Sequence, residues 1–590
     1  MADPNQIQAD ASKDQENHTT TIEHVKDINN ALTQVNTYED DVHVHLGWRS
    51  WLVVLVTLFS NITQVYVVVA VGTVIAFIIR DLGQPGLAGW AIQGPLLMQS
   101  VLAPSVGRLS DVIGRKNLVV GLPLIAFAGA CICAKSTGIN MLIGGSILTG
   151  FSLSTLAIVQ AIPSEVLPLK YRTIANGSAF LGGAIGGLVG GLAAGALTNQ
   201  NVHGWRNTFW LQAALQLTTS LLFIVSYFPK RRSDYERLKI SEYLWLMDPI
   251  GTFLFIGGTT LVLLAFDWAP DTYPYSNVHV AAPMGIGFAL LVLFGLYEWK
   301  GRSDGLIAHA YFKNGYNFGL ATFAFGVEGW IFFSAVNSIT PQIALNLGWE
   351  DDSWRISIRQ LAYQVPTIFA SIPIVWYSTK YKDLKSPLIV TYVLFLVITI
   401  CFATVKPSEN NSEYAFLLLS GLGQAGPLTL LVALVQFTAP HAFLSTATGL
   451  AFSARAIGGA FGSAVLDAII NGHIASHLVP EVGGAAINAG LPSSSVPTLL
   501  KAFDAGTGFD AVEGLNATIL AAASSQRHWT YAHAYRLGWS SIIPFVVLAL
   551  VAVAVTKSVK EQMTEHVEAP VEKMPLESAK GVEGQEMNSV

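Results

Sequence analysis

Charge is scarce in this 590-residue chain: 12% of its residues are Asp, Glu, Lys or Arg, while 52% are hydrophobic. A soluble domain carries about 25% charged residues, and a single core stops growing beyond roughly 250–300 residues. The surplus apolar surface therefore has no place in water. Cysteine is scarcer still. Cys131, Cys133 and Cys401 are the only three, all inside apolar runs, and they read as packing residues. The Cys131/Cys133 spacing is too short for a zinc pattern, and His309, His441, His473 and His477 add no ligand spacing with acids on one helix. A Gly-x-x-x-x-Gly-Lys-Ser/Thr loop is missing, so ATP is not the direct energy source. No basic patch suits a nucleic acid, and no catalytic constellation, metal site or cofactor motif emerges. The first 45 residues are polar, so no cleavable leader is expected at the start.

Long apolar runs are what the chain has instead. Fourteen occur, at about 51–77, 88–106, 118–134, 140–162, 174–197, 208–228, 246–267, 280–298, 317–339, 357–377, 387–404, 414–437, 447–470 and 538–556. Each matches the roughly 30 Å hydrocarbon thickness of a bilayer and satisfies its own backbone as a helix. Barrel strands would be about half as long and would alternate in polarity. With the N-terminus in the cytosol, the inner short loops hold sixteen Lys and Arg residues and the outer ones six, the bias expected of the inner side. Five of the sixteen are Lys230, Arg231, Arg232, Arg237 and Lys239. Both tails, 1–45 and 557–590, are acidic, poor in aromatics and read as disordered and cytosolic. Two glycosylation sequons, at Asn410 and Asn516, then fall outside. The stretch 471–537 is one large outer loop with an amphipathic helix near 511–523.

An internal repeat organises the spans. Residues 177–190 read GSAFLGGAIGGLVG and residues 449–462 read GLAFSARAIGGAFG, identical at eight of fourteen positions with an offset of 272. The same offset carries Pro168 onto Pro440. Segment five thus maps onto segment thirteen, running in the same direction, which is a parallel repeat about an axis along the membrane normal. The expected architecture is an all-α membrane protein with fourteen transmembrane helices. Two pseudo-symmetric six-helix bundles, 46–229 and 306–556, flank an insertion at 230–305 that carries segments seven and eight.

Three features bear on mechanism. After segment two, Gly107-Arg108-Leu109-Ser110-Asp111-Val112-Ile113-Gly114-Arg115-Lys116 has the makings of a cytosolic latch. Its glycines permit a tight turn and close helix approach, and Asp111 can pair with Arg115 or with a neighbouring helix end. In segment five, Gly182, Gly183, Gly186, Gly187, Gly190 and Gly191 leave one flank almost bare, a surface for close packing or for sliding between states. Two ionisable residues, Glu328 in segment nine and Arg455 in segment thirteen, lie deep inside spans. A charge there costs roughly 2.5–3.5 kcal/mol unless it faces a partner or a cavity, so both are functional candidates. Glu328 is the proton-carrier candidate and Arg455 the cavity or coupling residue. Amides and aromatics within the spans, among them Gln64, Tyr66, Gln93, Trp330, Gln364, Gln424 and Gln436, suit a pocket for an uncharged amphiphile.

The decapeptide 107–116 resembles the loop signature of the major facilitator superfamily. Glu165-Val166-Leu167-Pro168-Leu169-Lys170-Tyr171-Arg172 resembles its second cytosolic signature. Gly182, Gly186, Gly187, Gly190 and Gly191 resemble the drug:proton antiporter motif, with Gly187 where a proline is usual. Residues 45–556 as a whole resemble the fungal fourteen-helix branch that includes trichothecene efflux pumps and siderophore–iron transporters. The resemblance implies gating roles for Gly107, Asp111, Gly114, Arg115, Lys116, Glu165 and Arg172. It places Gln64 and Gln93, from the first two helices, at the cavity. It also implies proton-coupled efflux of a small hydrophobic or amphipathic metabolite, mycotoxin or drug by a monomer in the plasma membrane of a fungal cell, the vacuolar membrane being the alternative. Import of a siderophore–iron complex is the competing function, and a non-transporting membrane sensor is the competing class.

Overall fold

A computed structural model of the chain describes residues 46–82, 90–198, 203–229, 240–269, 273–313, 315–350, 353–505, 508–564 and 566–567. The N-terminal acidic stretch 1–45, the basic cluster 230–239 and the end of the acidic tail, 568–590, lie outside them. Helices make up nearly everything described, with no strand among the described residues. The long helices are α1 (Trp48–Leu82), α2 (Trp90–Ile113), α3 (Arg115–Ala134), α4 (Ile139–Val166), α5 (Leu169–Thr198) and α6 (Trp205–Ser226). They continue as α7 (Pro249–Trp268), α8 (Val278–Leu296), α9 (Asn317–Asn346), α10 (Ser353–Tyr381), α11 (Lys385–Phe402), α12 (Asn410–Thr438), α13 (Leu444–Asn488) and α14 (Ala517–Val555). Twelve helices among the described residues are long and apolar enough to cross a membrane. The other two, α2 and α10, have 24 and 29 residues and more polar sequences. Large apolar side chains such as Phe253, Phe369, Val292 and Trp299 stand exposed on the helices, a surface that water would not tolerate at this extent.

Local chemistry sets the helix ends. Gly114 takes φ of 95°, a left-handed value open to glycine, and so turns the chain sharply between α2 and α3. Asp248 caps α7 by accepting from Gly251 N at 3.0 Å, with Pro249 pre-set for the first turn. Helix α9 widens into a π-helical stretch over Trp330–Ile339, immediately after Glu328, which re-aims the following side chains.

Helices α1–α6 pack as one group and α9–α14 as another, with α7 and α8 paired to each other. The repeated glycines do equivalent work in the two groups. A Cβ on Gly186 would collide with Ile62 O of α1, and one on Gly458 with Gly326 O of α9. Four residues on, Gly190 receives the Tyr66 ring and Gly462 the Trp330 ring. The glycine flank of α5 therefore packs within its own group: Gly182 meets Leu58 and Asn61, Gly183 and Gly187 face Val65, and Gly191 is half-buried. Gly186→Leu and Gly458→Leu should each destabilise by at least about 1–3 kcal/mol through overpacking. Gly195→Ala, which meets nothing within 4 Å, should be neutral. Thermal unfolding of the purified variants in detergent checks the contrast.

Two expectations change. The stretch 471–537 is mostly helix: α13 runs to Asn488, α14 begins at Ala517, and a short helix, Val496–Ala505, lies between. Val482, Ala486, Leu491, Leu499, Val512 and Ile519 form a small core there, which a surface loop would lack. The expected helix near 511–523 instead straddles the cap of α14 at Asn516. The tail also stays ordered past Lys557: Val559, Met563 and Val567 are buried, because apolar spacing anchors this part.

Candidate functional site: a buried ion pair and a latch

Glu328 and Arg455 face each other where α9 crosses α13. The crossing is close because Gly326, Gly329 and Gly458 put backbone against backbone. Arg455 Nε lies 2.5 Å from Glu328 Oε2 and its Nη2 3.0 Å from Oε1. Gln424 of α12 donates its amide to the same Oε1. The guanidinium sits 4.7 Å from the ring centres of Phe332 and Phe333 and 5.4 Å from Phe325, near enough for cation–π attraction. Glu328 is fully buried and Arg455 nearly so. Forked geometry and a third donor offset a desolvation of several kcal/mol per ion. Tyr363 and Trp330, also buried, have a hydroxyl and an indole N–H without a partner.

The first group holds a neutral counterpart. Gln64 lies two residues beyond Ile62, as Glu328 lies two beyond Gly326. Its Nε2 donates to Ser152 O at 3.2 Å and Thr155 Oγ1 at 3.0 Å, and the repeat offset carries Ser152 onto Gln424. Tyr66 donates its hydroxyl to Thr208 O at 3.1 Å. Tyr66 and Trp330 are thus wedged into glycine notches inside their groups, while Gln93 and Gln364 are exposed on α2 and α10.

The latch joins the groups. A Cβ on Gly107 would lie 2.5 Å from Ser445 O, and one on Gly449 2.5 Å from Ala103 O. Asp111 makes both contacts open to it. It pairs with Arg115 at 3.0 Å. It also caps α13 by accepting from Ser445 N at 3.2 Å, Thr446 N at 2.9 Å and Thr446 Oγ1 at 2.8 Å, a carboxylate at a helix N-terminus. Arg115 also binds Glu165, and donates to Ser445 Oγ at 3.0 Å. Glu165 reaches His441 at 2.8 Å. Lys116 points elsewhere, to Ile224 O at 3.2 Å and the Phe228 ring.

Gln436 is the hub. Its Oε1 accepts from Ser164 Oγ at 2.9 Å and Asn176 Nδ2 at 2.8 Å, and its carbonyl from Arg172 at 2.9 Å. Ser164 and Gln436 are themselves 272 apart, so repeat-related positions bond each other across the axis. Arg108 ties in the α7–α8 region through Leu246 O at 2.8 Å and Asp304 O at 3.0 Å. Ser164, Asn176 and His441 escape sequence reasoning; the offset that pairs 164 with 436 was the available signal.

The sequon residues differ. Asn410 spends its Oδ1 on Arg359 at 2.6 Å, beside the buried Arg359–Glu413 pair. Asn516 is exposed and uses its Oδ1 to cap α14.

Residues 53–463 match the family model described as Major Facilitator Superfamily. The chain belongs to the Major Facilitator Superfamily. It is thereby a multi-pass membrane protein of a family of transporters that carry small molecules. Among superfamily relatives, the MFS-type transporter prx5 of Penicillium rubens is 25% identical over 84% of this chain and 88% of its own length. The trichothecene efflux pump TRI12 of Fusarium sporotrichioides is 22% identical over 86% of each. The MFS efflux transporter aclA of Aspergillus oryzae is 22% identical over 92% and 96%. The solved human organic anion transporter MFSD10 shares the superfamily fold, with a TM-score of 0.52 at 12% identity over 85% of this chain and 99% of its own.

Proposed function

We propose that this protein is a proton-coupled exporter of a small hydrophobic or amphipathic molecule across the plasma membrane of a fungal cell, held here with its cytosolic side closed. The Glu328–Arg455 pair carries the reading. A proton added to the Glu328 carboxylate cancels the charge that holds Arg455, and the freed guanidinium shifts the balance between states. The latch side is the cytosolic side, α2 and α10 are spans, and the count is fourteen. Two six-helix bundles then flank α7 and α8, both chain ends are cytosolic, and Asn516 is the glycan acceptor. Relatives that are efflux proteins, TRI12 and aclA among them, support the direction.

The test is transport by the purified protein in liposomes with an imposed proton gradient, using trichothecene-like amphiphiles and ferric chelates as probes. Gradient-dependent movement of an amphiphile is expected. Accumulation of the chelate would make it an importer, and movement indifferent to the gradient would end proton coupling.

A further inference from the structure

The chain does not leave the molecule after α14. Asn317 Nδ2 donates to Lys557 O at 2.9 Å, and Lys557 N returns a bond to Asn317 Oδ1 at 2.8 Å. Lys385 Nζ donates to Thr556 O at 3.1 Å. These three bonds anchor the start of the segment to α9 and α11. A short turn, Lys560–Gln562, follows. Val559 and Met563, four residues apart, then sink into an apolar cluster that also holds Leu169 and Phe443. Beyond them the chain reaches the start of α5. Lys170 N donates to Thr564 O and Leu169 N to His566 O, both at 2.9 Å, and Val567 is buried. The segment thus begins on the second group and ends bonded to the first, beside Glu165, Arg172 and the Gln436 hub.

We propose that residues 556–564 and 566–567 form a strap that holds the latch side closed and must detach from Leu169 and Lys170 whenever that side opens. A backbone hydrogen bond weakens steeply once its geometry is lost, so a few ångströms of separation breaks both. The same motion uncovers Met563, which is fully buried in the cluster that also holds Leu169 of the first group. The anchors at Asn317 and Lys385 belong to the second group and stay intact, so the strap releases from one end. Its effect on transport rests on the exporter reading; its contact with the latch does not.

Two measurements decide it. In a chain whose own three cysteines are alanine, Ser164→Cys reports the opening of the hub through its rate of thiol labelling in detergent. Ending the chain after Ser558, or Met563→Glu in the full chain, should speed that labelling by about tenfold, the size of a modest population shift. Unchanged labelling in both variants would overturn the strap. In the same background, Lys170→Cys with Thr564→Cys should form a disulfide under oxidation, since the paired backbone puts the two within reach. The cross-linked protein should lose transport and regain it on reduction. Undiminished transport while cross-linked would show that the strap need not release. If the reduced parent moves no substrate, the exporter reading fails, and the labelling rate still decides the strap.

Discussion

Glu328→Gln is expected to lower gradient-driven transport by about a hundredfold or more while leaving substrate binding and folding near normal. The amide is nearly isosteric. Its single oxygen, placed where Oε1 lies, still accepts from Arg455 Nη2 and Gln424, and only the bond from Arg455 Nε to Oε2 is lost. What it lacks is the carboxylate that the proposed coupling step needs; a hundredfold corresponds to about 2.7 kcal/mol. Glu328→Ala is a different experiment. It leaves the guanidinium and the Gln424 amide buried with no acceptor at all, besides removing the counter-ion, which costs about 3–5 kcal/mol, and the expected result is loss of folded protein. Replacing both Glu328 and Arg455 by leucine should restore folding but not coupling, because removing a buried pair together is often neutral. Binding, thermal unfolding and proton-driven flux, measured on all three, separate the roles. Full gradient-driven flux by the glutamine variant would remove Glu328 from the mechanism.

Asp111→Ala should open the latch side. One carboxylate serves three donors at the start of α13 and pairs with Arg115. Three of those contacts bridge the two groups and vanish when the groups part, so they stabilise only the closed arrangement. Hydrogen bonds to a charged group contribute about 1.5–3 kcal/mol each and are not additive. A bias of roughly 2–4 kcal/mol toward opening follows, a shift of about thirty- to a thousandfold in population. Spin labels at Asn117 of α3 and Tyr381 of α10, both exposed and on different groups, should report a longer distance in the variant. Asp111→Asn, which keeps one acceptor oxygen, should fall between. An unaltered distance distribution with normal flux would mean the latch does not set the closed state.

Much of this architecture was legible in the sequence because its causes are local or periodic. Apolar runs mark helices, and a fixed offset of 272 marks equivalent glycines. The ionisable pair was half legible. Glu328 and Arg455 stood out as charges in apolar surroundings, but their contact spans 127 residues. It depends on the crossing of α9 over α13, which no single-chain pattern encodes. Tyr66 and Trp330 read as pocket aromatics from composition, yet each fills a notch created by a glycine on another helix. The extended α13 and α14 were hidden because their outer turns are polar enough to resemble loop. The ordered tail was hidden because Val559 and Met563 are too few to rise above an acidic background.

Helices α13 and α14 have 45 and 39 residues, so they run for about 68 and 58 Å where roughly 30 Å would cross the hydrocarbon. The surplus makes them a stiff lever, tipped by the small core around Val482 and Leu499. A tilt of the second group by about 15°, comparable to known subunit rotations, would swing a tip some 30 Å beyond the membrane by roughly 8 Å. Motion that is hard to resolve at the crossing of α9 and α13 is thus magnified where a fluorophore or antibody fragment can reach it.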